Sequence, residues 1–303
     1  MLGGLLHNRF RILKKLGEGR TGTVWLAEDT LLKRTVALKR ARGKTEPERK
    51  SRGVRLLHEA EFLARIDHPN VVGVHDFIDG ETSVTLVMEL VKGVPFKSLY
   101  RKGAMAQHEY LPYLEQLLSA LEAVHREGII HRDVNPNNIL LSEAGVVKLT
   151  DFGLACSADD AAPRRGGTIG YMAPESLRKS ARLTFAVDIY ALGFLSFQAF
   201  LGKPDFQKLY GASSSLEWAR WLLSRERFKT LDEIGKPVSQ GLSAIVERML
   251  EKAPGDRYAM VADVRKDLDR VAGHALKAPE SLGFAAGMRR ILPSLLSRGP
   301  EVG

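Results

Sequence analysis

Cysteine is almost absent from this chain: Cys156 is the only one in 303 residues. No disulfide can form within the chain, which suits a reducing compartment. Cys156 itself reads as a small apolar filler. Long apolar runs are missing as well. The opening MLGGLLHNRF turns polar too soon for a secretion signal, and no stretch approaches the ~18 apolar residues of a membrane helix. The expectation is a cytoplasmic chain with no membrane segment. Zinc-ligand spacing and interleaved aromatic and basic residues are also lacking, so nucleic acid is not an expected partner. There are no internal repeats.

What is present is ordinary globular composition, 44% hydrophobic and 27% charged, in a length that holds one large domain or two modest ones. The net charge of +9 is scattered, with clusters at 33–55, 164–165 and 289–290. Such an excess is a solvated surface or a partner for anionic groups.

The densest chemistry lies in His131-Arg132-Asp133-Val134-Asn135-Pro136-Asn137-Asn138, ahead of the apolar run Ile139-Leu140-Leu141. Asp133 is able to take a proton from a hydroxyl, and the Asn138 carbonyl is able to coordinate a hard cation. Thirteen residues past Asn138 comes Asp151-Phe152-Gly153, a second carboxylate where a strand gives way to a loop. Two carboxylates, an amide and a basic residue point to metal-dependent group transfer.

Near the start, Gly17-x-Gly19-x-x-Gly22 lies between Arg9–Leu13 and Thr23–Ala27, both β-forming. In a dinucleotide-binding βαβ unit the glycines open a helix. Here alternating β-formers follow, so the glycines cap a hairpin whose backbone N–H groups can meet phosphates. Thr35–Lys39 is the next strand. Residues 41–55 read as a loop leading into a helix at about 51–66, with Leu56, Leu57, Ala60, Leu63 and Ile66 as its apolar stripe. Glu59 lies on or beside that stripe, and an inward carboxylate needs a cation, for which Lys39 is the candidate. Strands Val71–Ile78 and Val84–Glu89 complete a small lobe of about residues 1–90 with five strands and one helix. Helical periodicity then takes over, at 107–126 and at about 174–180, 184–201, 215–226, 239–252 and 260–272. The tail 273–303 holds a possible short amphipathic helix, Met288–Leu296.

Together these segments resemble the eukaryotic-type protein kinase family, more closely a bacterial Ser/Thr protein kinase catalytic domain. The resemblance runs over about residues 9–272 and rests on eight pieces in order. These are Gly17-x-Gly19-x-x-Gly22-x-Val24, Val36-Ala37-Leu38-Lys39, Glu59, His131-Arg132-Asp133 with Asn138, Asp151-Phe152-Gly153, Ala173-Pro174-Glu175, Asp188–Gly193 and Arg257. It implies an α+β bilobal fold, with a β-rich small lobe and a mostly helical lobe at about 91–272. It also implies ATP and Mg²⁺ (or Mn²⁺) as cofactors, and protein substrates with Ser or Thr acceptors.

The implied roles are specific. Leu16, Gly17, Gly19 and Gly22 cover the nucleotide. Lys39, oriented by Glu59, holds its α- and β-phosphates. Val24, Ala37 and Leu140 enclose adenine, Met88 is the gatekeeper, and the backbones of Glu89 and Val91 bond the base. Asp133 accepts the hydroxyl proton, and Asn138 and Asp151 hold the metal. Leu63, Val74, His131 and Phe152 form an inter-lobe spine. Asp188 anchors the His131-Arg132 backbone, and Glu175 pairs with Arg257 as a structural bridge.

Two departures stand out. Asn135 replaces the Lys usual two residues after the catalytic Asp, and loss of that charge costs ~2–4 kcal/mol of transition-state stabilisation if nothing compensates. Asn135 is expected to touch the phosphate as an uncharged donor, and the alternative to an enzyme is a pseudokinase or nucleotide-binding scaffold. Between Asp151 and Pro174 the only hydroxyls are Ser157, Thr168 and Tyr171. Thr168 matches the residue that contacts the catalytic Asp in Ser/Thr kinases and is poorly placed as a switch; Asp159 and Asp160 are either solvated loop residues or stand-ins for a loop phosphate against Arg132. Arg164 and Arg165 read as solvated surface or, near the substrate groove, as a mild preference for acidic substrates.

Overall fold

The computed structural model describes residues 3–19, 22–41, 45–80, 83–160, 166–178, 181–211 and 214–275. The N-terminal part is a curled antiparallel sheet of β1 (Leu5–Leu6), β2 (Phe10–Glu18), β3 (Thr23–Asp29), β4 (Arg34–Ala41), β5 (Val74–Gly80) and β6 (Ser83–Glu89), ordered β1-β2-β3-β4-β6-β5. That is one strand more than the sequence suggests, because the two-residue β1 is too short to show a period. Alternation along β4 sends Val36 and Leu38 into a small core with Phe10, Ile12 and Ala27. Ala37, Lys39 and Ala41 take the other face, toward the one helix among the described residues of this lobe.

That helix, α1 (Glu46–Ala64), begins earlier than the expected residue 51. The Thr45 hydroxyl accepts the Glu48 N–H and Pro47 occupies the first turn, where its missing N–H costs nothing. Leu56, Ala60 and Leu63 are buried as expected, whereas Leu57 is 39% exposed and leaves the stripe. The strand expected from Val71 begins instead at Val74. Residues 70–72 pair elsewhere: the Leu149 N–H donates to Asn70 O and the Val72 N–H to Leu149 O. This clip joins the small lobe to the strand that leads into Asp151.

The larger part begins with β7 (Gly93–Pro95), which pairs with β9 (Ile139–Ser142) beside β10 (Val147–Leu149). A second small ladder joins β8 (Ile129–Ile130) to β11 (Cys156–Ser157). The helices are α2 (Gln107–Arg126), α3 (Ala186–Leu201), α4 (Lys203–Tyr210), α5 (Ser215–Leu223), α6 (Gln240–Met249) and α7 (Val261–Ala275). Residues 174–177 form a 3₁₀ turn rather than the expected longer helix, and α4 has no counterpart in the sequence reading. Gly202 and Pro204 look like breakers there, yet Gly202 adopts φ +77° and Pro204 fills the first turn of α4. Helix α3 is buried along nearly its whole length. Gly193 lets α6 approach, since a Cβ there would lie 2.6 Å from the Met249 Cβ. One core cluster runs without a break from Leu63, Leu86 and Met88 under the small lobe, through Phe152, to Leu268 in α7. The segment Met288–Leu296 lies outside the described residues.

Candidate active site

Two clusters face each other across the junction of the lobes. The first centres on Lys39, whose Nζ donates to Glu59 Oε1 and Oε2 at 2.7 and 2.8 Å and to Asp151 Oδ1 at 2.8 Å. Lys39 is on β4 and Glu59 on α1, so the pair ties helix to sheet, and both side chains are buried. Burial opposes charge on Lys39, but the carboxylates of Glu59 and Asp151 more than offset it and hold the ammonium above its ordinary pKa. Burial pushes the Glu59 carboxyl up, with Lys39 restraining it. Burial also opposes charge on Asp151, but Lys39 outweighs it, and that carboxyl sits below its usual value.

Asp151 holds a left-handed backbone, φ +61°, as does Arg132 at +67°. Non-glycine residues in that region store ~1–3 kcal/mol, retained only where the surroundings over-determine the conformation. For Arg132 the cause is visible. Asp188 on α3 is fully buried; its Oδ1 accepts the Arg132 N–H at 2.7 Å and its Oδ2 the His131 N–H at 2.8 Å. His125 Nε2 on α2 donates to Oδ2 at 2.9 Å. Burial alone would raise the Asp188 pKa; His125 and these amides hold it low. His131 in turn donates from Nε2 to Thr150 O at 3.1 Å and meets the Phe152 ring edge-on with centroids 4.6 Å apart. Leu63 and Phe152 are buried in the main core with Val74 packed against it, so the four expected spine residues share one apolar region.

The second cluster centres on Asp133. Its Oδ1 accepts both the N–H and the hydroxyl of Thr168, at 3.0 and 2.9 Å, and its Oδ2 accepts Asn138 Nδ2 at 2.8 Å. The second Asn138 Nδ2 bond runs to Asp133 O at 3.0 Å. Asn138 is thus held by its nitrogen, and its carbonyl oxygen accepts from no described group. The Asp151 side chain keeps 39% exposure, with one oxygen on Lys39. An anchored amide oxygen beside a partly exposed carboxylate suits a hard cation.

Asn135 departs from expectation. Its side chain is 1% exposed and fully committed. Nδ2 donates to Asp133 O at 3.0 Å and to Thr168 Oγ1 at 3.3 Å, while Oδ1 accepts from Asn137 N and Nδ2 at 2.9 and 3.2 Å. With both N–H bonds used internally, it braces the loop and offers no donor to a phosphate.

The nucleotide-side residues are spread along the sheet and hinge. Gly19 and Gly22 close the turn between β2 and β3, with Gly19 N donating to Gly22 O at 2.9 Å. Gly22, at φ +157°, has no room for a side chain, since a Cβ would lie 2.4 Å from Arg40 O. Gly17 is the last residue but one of β2 and Leu16 beside it is 48% exposed. Val24 faces Lys39 in the register of β3 and β4, and Ala37 faces Met88 across β4 and β6. Leu140 on β9 and Val91 in the hinge are half-buried. The Glu89 side chain turns to Lys148 at 2.6 Å and to the Gly73 N–H at 2.8 Å, and its own backbone N–H donates to Gly73 O at 2.9 Å.

Farther out, Arg257 and Glu175 form a buried two-pronged pair at 2.6 and 2.8 Å. Arg132 Nη1 donates to Leu154 O at 3.2 Å, and Asp159 and Asp160 are exposed. Burial pushes the Cys156 thiol up to about 11, the state of an inert filler. Arg164 and Arg165 lie outside the described residues. Sequence reading missed the buried His125–Asp188 bond and the Lys39–Asp151 contact.

A β-rich lobe and a helical lobe, with a lysine–carboxylate cluster facing an Asp–Asn loop, define a protein kinase. The family model described as "Protein kinase domain" matches residues 10–267, and the chain belongs to that family. It is 31% identical over 289 residues to the probable serine/threonine-protein kinase PknB of Lactococcus lactis, covering 93% of this chain and 45% of that protein. It is 30% identical over 273 residues to PrkC of Bacillus subtilis (88% and 41% covered), and 35% identical over 268 residues to PknE of Mycobacterium tuberculosis (86% and 46%). Both are named serine/threonine-protein kinases. The chain thus spans less than half the length of these relatives. Among the described residues, no helix is long and apolar enough to cross a membrane.

Proposed function

We propose that this chain transfers the γ-phosphate of ATP to Ser or Thr hydroxyls of proteins. The observation that carries the proposal is the state of Asp133, with one oxygen held by Thr168 and the other by Asn138. A carboxylate so fixed receives the proton of an acceptor hydroxyl as its oxygen bonds to phosphorus and the bond to the leaving ADP oxygen breaks. Thr168 against Asp133 supports Ser/Thr acceptors. Lys39, held by Glu59, would carry the α- and β-phosphates, and Gly17, Gly19 and Gly22 would lie over them. Val24, Ala37, Leu140 and Leu16 would enclose adenine behind Met88, with the Glu89 and Val91 backbones bonding its edge.

Asn138 and Asp151 would hold Mg²⁺ or Mn²⁺, which when bound offsets phosphate charge. Asn135 acts as a brace for Asp133 and Thr168. Asp159 and Asp160 would supply the negative charge that Arg132 meets in an active loop. The domain would comprise residues 1–272, with its lobes meeting near residue 90.

The test is transfer of label from γ-³²P-ATP to a generic protein substrate, with Mg²⁺ and with Mn²⁺. Wild type should label the substrate and Asp133→Ala should not, while both bind nucleotide. Nucleotide binding without transfer by wild type under either metal would refute the proposal in favour of a scaffold.

A further inference from the structure

A second cavity, of about 470 Å³, opens beside the Asp133 loop. Two of its walls continue the segments that hold Asp133. Pro136 and Asn137 lie between Asn135 and Asn138, and Tyr171 is three residues past Thr168. Asn137 is four residues from Asp133, so that wall lies within ~14 Å of the proton acceptor. The third wall carries Lys97, Arg101 and Lys203.

Two of these cations are tied to the walls through the backbone rather than through their charges. The Lys97 N–H donates to Pro136 O at 3.2 Å and the Lys203 N–H to Tyr100 O at 3.2 Å. None of the three side chains pairs with a carboxylate among the described residues, and no Asp or Glu lines the cavity. The nearby Asp205 is taken by Lys236 at 2.6 Å. The floor is neutral. Tyr171 donates to Gln198 Oε1 and meets Tyr100 OH at 3.4 Å. Burial pushes the Tyr171 phenol up to about 12 and Tyr100 higher still, so neither supplies an anion. Three cations with no carboxylate partner among the described residues, set around a neutral concavity, attract negative charge.

We propose that this cavity selects protein substrates with an Asp or Glu within about four residues of the phosphorylated Ser or Thr, its carboxylate bound by Lys97, Arg101 and Lys203. The inference rests on the kinase reading above. A substrate held with its hydroxyl at Asp133 runs its neighbouring residues past this opening. The expected acidic preference of Arg164 and Arg165 would add to this charge without being needed for it.

The test uses the full chain and peptides with one Thr in a neutral Gly/Ala host. A single Glu, Gln or Lys is scanned over four positions on each side. At one position at least, Glu should raise kcat/KM about 10-fold over Gln, mainly through KM, with Lys lower than both. Raising salt from ~50 to ~500 mM should shrink the ratio as the charges are screened. In Lys97→Glu/Arg101→Glu/Lys203→Glu the order should invert, with Lys preferred over Glu. Binding of the same peptides with Ala as acceptor, followed by fluorescence anisotropy, reads the pocket without chemistry. Transfer to every peptide with equal efficiency overturns the pocket and leaves the kinase reading intact. Preferential binding of the Glu peptide with no transfer to any peptide supports the pocket and refutes the kinase reading. Neither preference nor transfer overturns both.

Discussion

Replacing Asn135 by alanine separates two roles for that residue, because a brace and a phosphate donor fail differently. The substitution removes four hydrogen bonds from a side chain that is 1% exposed. The damage is partly contained. Asp133 O keeps its bond from Asn138, Thr168 keeps its bonds to Asp133, and the exposed Asn137 amide can turn to water. The group left without a partner in the loop is the Asn137 backbone N–H. A net loss of about 1–3 kcal/mol follows, equivalent to a fall of roughly 2–5 °C in melting temperature for a domain of this size. Asp133 and Thr168 lose a common tie, and misplacement of a catalytic group by ~1 Å costs on the order of 10²-fold in rate. Nucleotide affinity should stay within about 2-fold, since no Asn135 donor is free. Differential scanning fluorimetry, calorimetric titration with a non-hydrolysable nucleotide and single-turnover transfer give the three readouts. An unchanged melting temperature with nucleotide binding weakened 10-fold or more would refute the reasoning and return Asn135 to the phosphate.

Arg257→Met leaves Glu175 buried without its partner and should cost about 3–5 kcal/mol, read from the urea midpoint; adding Glu175→Gln should recover part of it. Asp188→Asn cannot accept from His125, His131 and Arg132 together, so turnover should fall and the His131 and Arg132 amides should lose protection in hydrogen exchange. Asp29 gives a pH dependence: its bonds to Arg9 hold the carboxyl down to about 2. A depressed folded-state pKa adds stability above the unfolded value of ~3.9 that is lost as pH falls toward 2, so the melting temperature of wild type should drop through that window more than that of Asp29→Asn. Asp159→Ala/Asp160→Ala should lower turnover without changing ATP affinity; unchanged turnover would remove both residues from any role at Arg132.

What could be read from the residues alone was local. The alternating β-formers around Gly17–Gly22 distinguish a hairpin from a helix start without any tertiary contact. The inward face of Glu59 calls for a cation, and Lys39 lies one strand away. Interactions between distant positions were not legible in the residues themselves; those that were expected, Glu175 with Arg257 and Asp188 with the His131-Arg132 backbone, came through the family resemblance. Lys39 and Asp151 are 112 residues apart, and Asn135 and Thr168 are 33 apart. No periodicity encodes either distance. His125 fits its apolar helix face equally well with or without Asp188. Punctuation misled in two places. Thr45 and Pro47 start α1 inside what reads as loop, and Gly202 with Pro204 starts α4 in a stretch where no helix is expected. In both, the same residue types serve a turn or a helix cap, and only the neighbouring packing decides.

The core beneath the active site is continuous, from Leu63 and Met88 through Phe152 to the helices below. A joint of this kind cannot swing open like a jaw without pulling hydrocarbon apart into water, at ~25 cal/mol for each Å² uncovered. A shear of the small lobe that kept Leu63 and Phe152 buried would avoid that cost. The admission and release of nucleotide would then be set by small displacements of an oiled seam, with the ionic contacts of Lys39 as the detents that mark its stops.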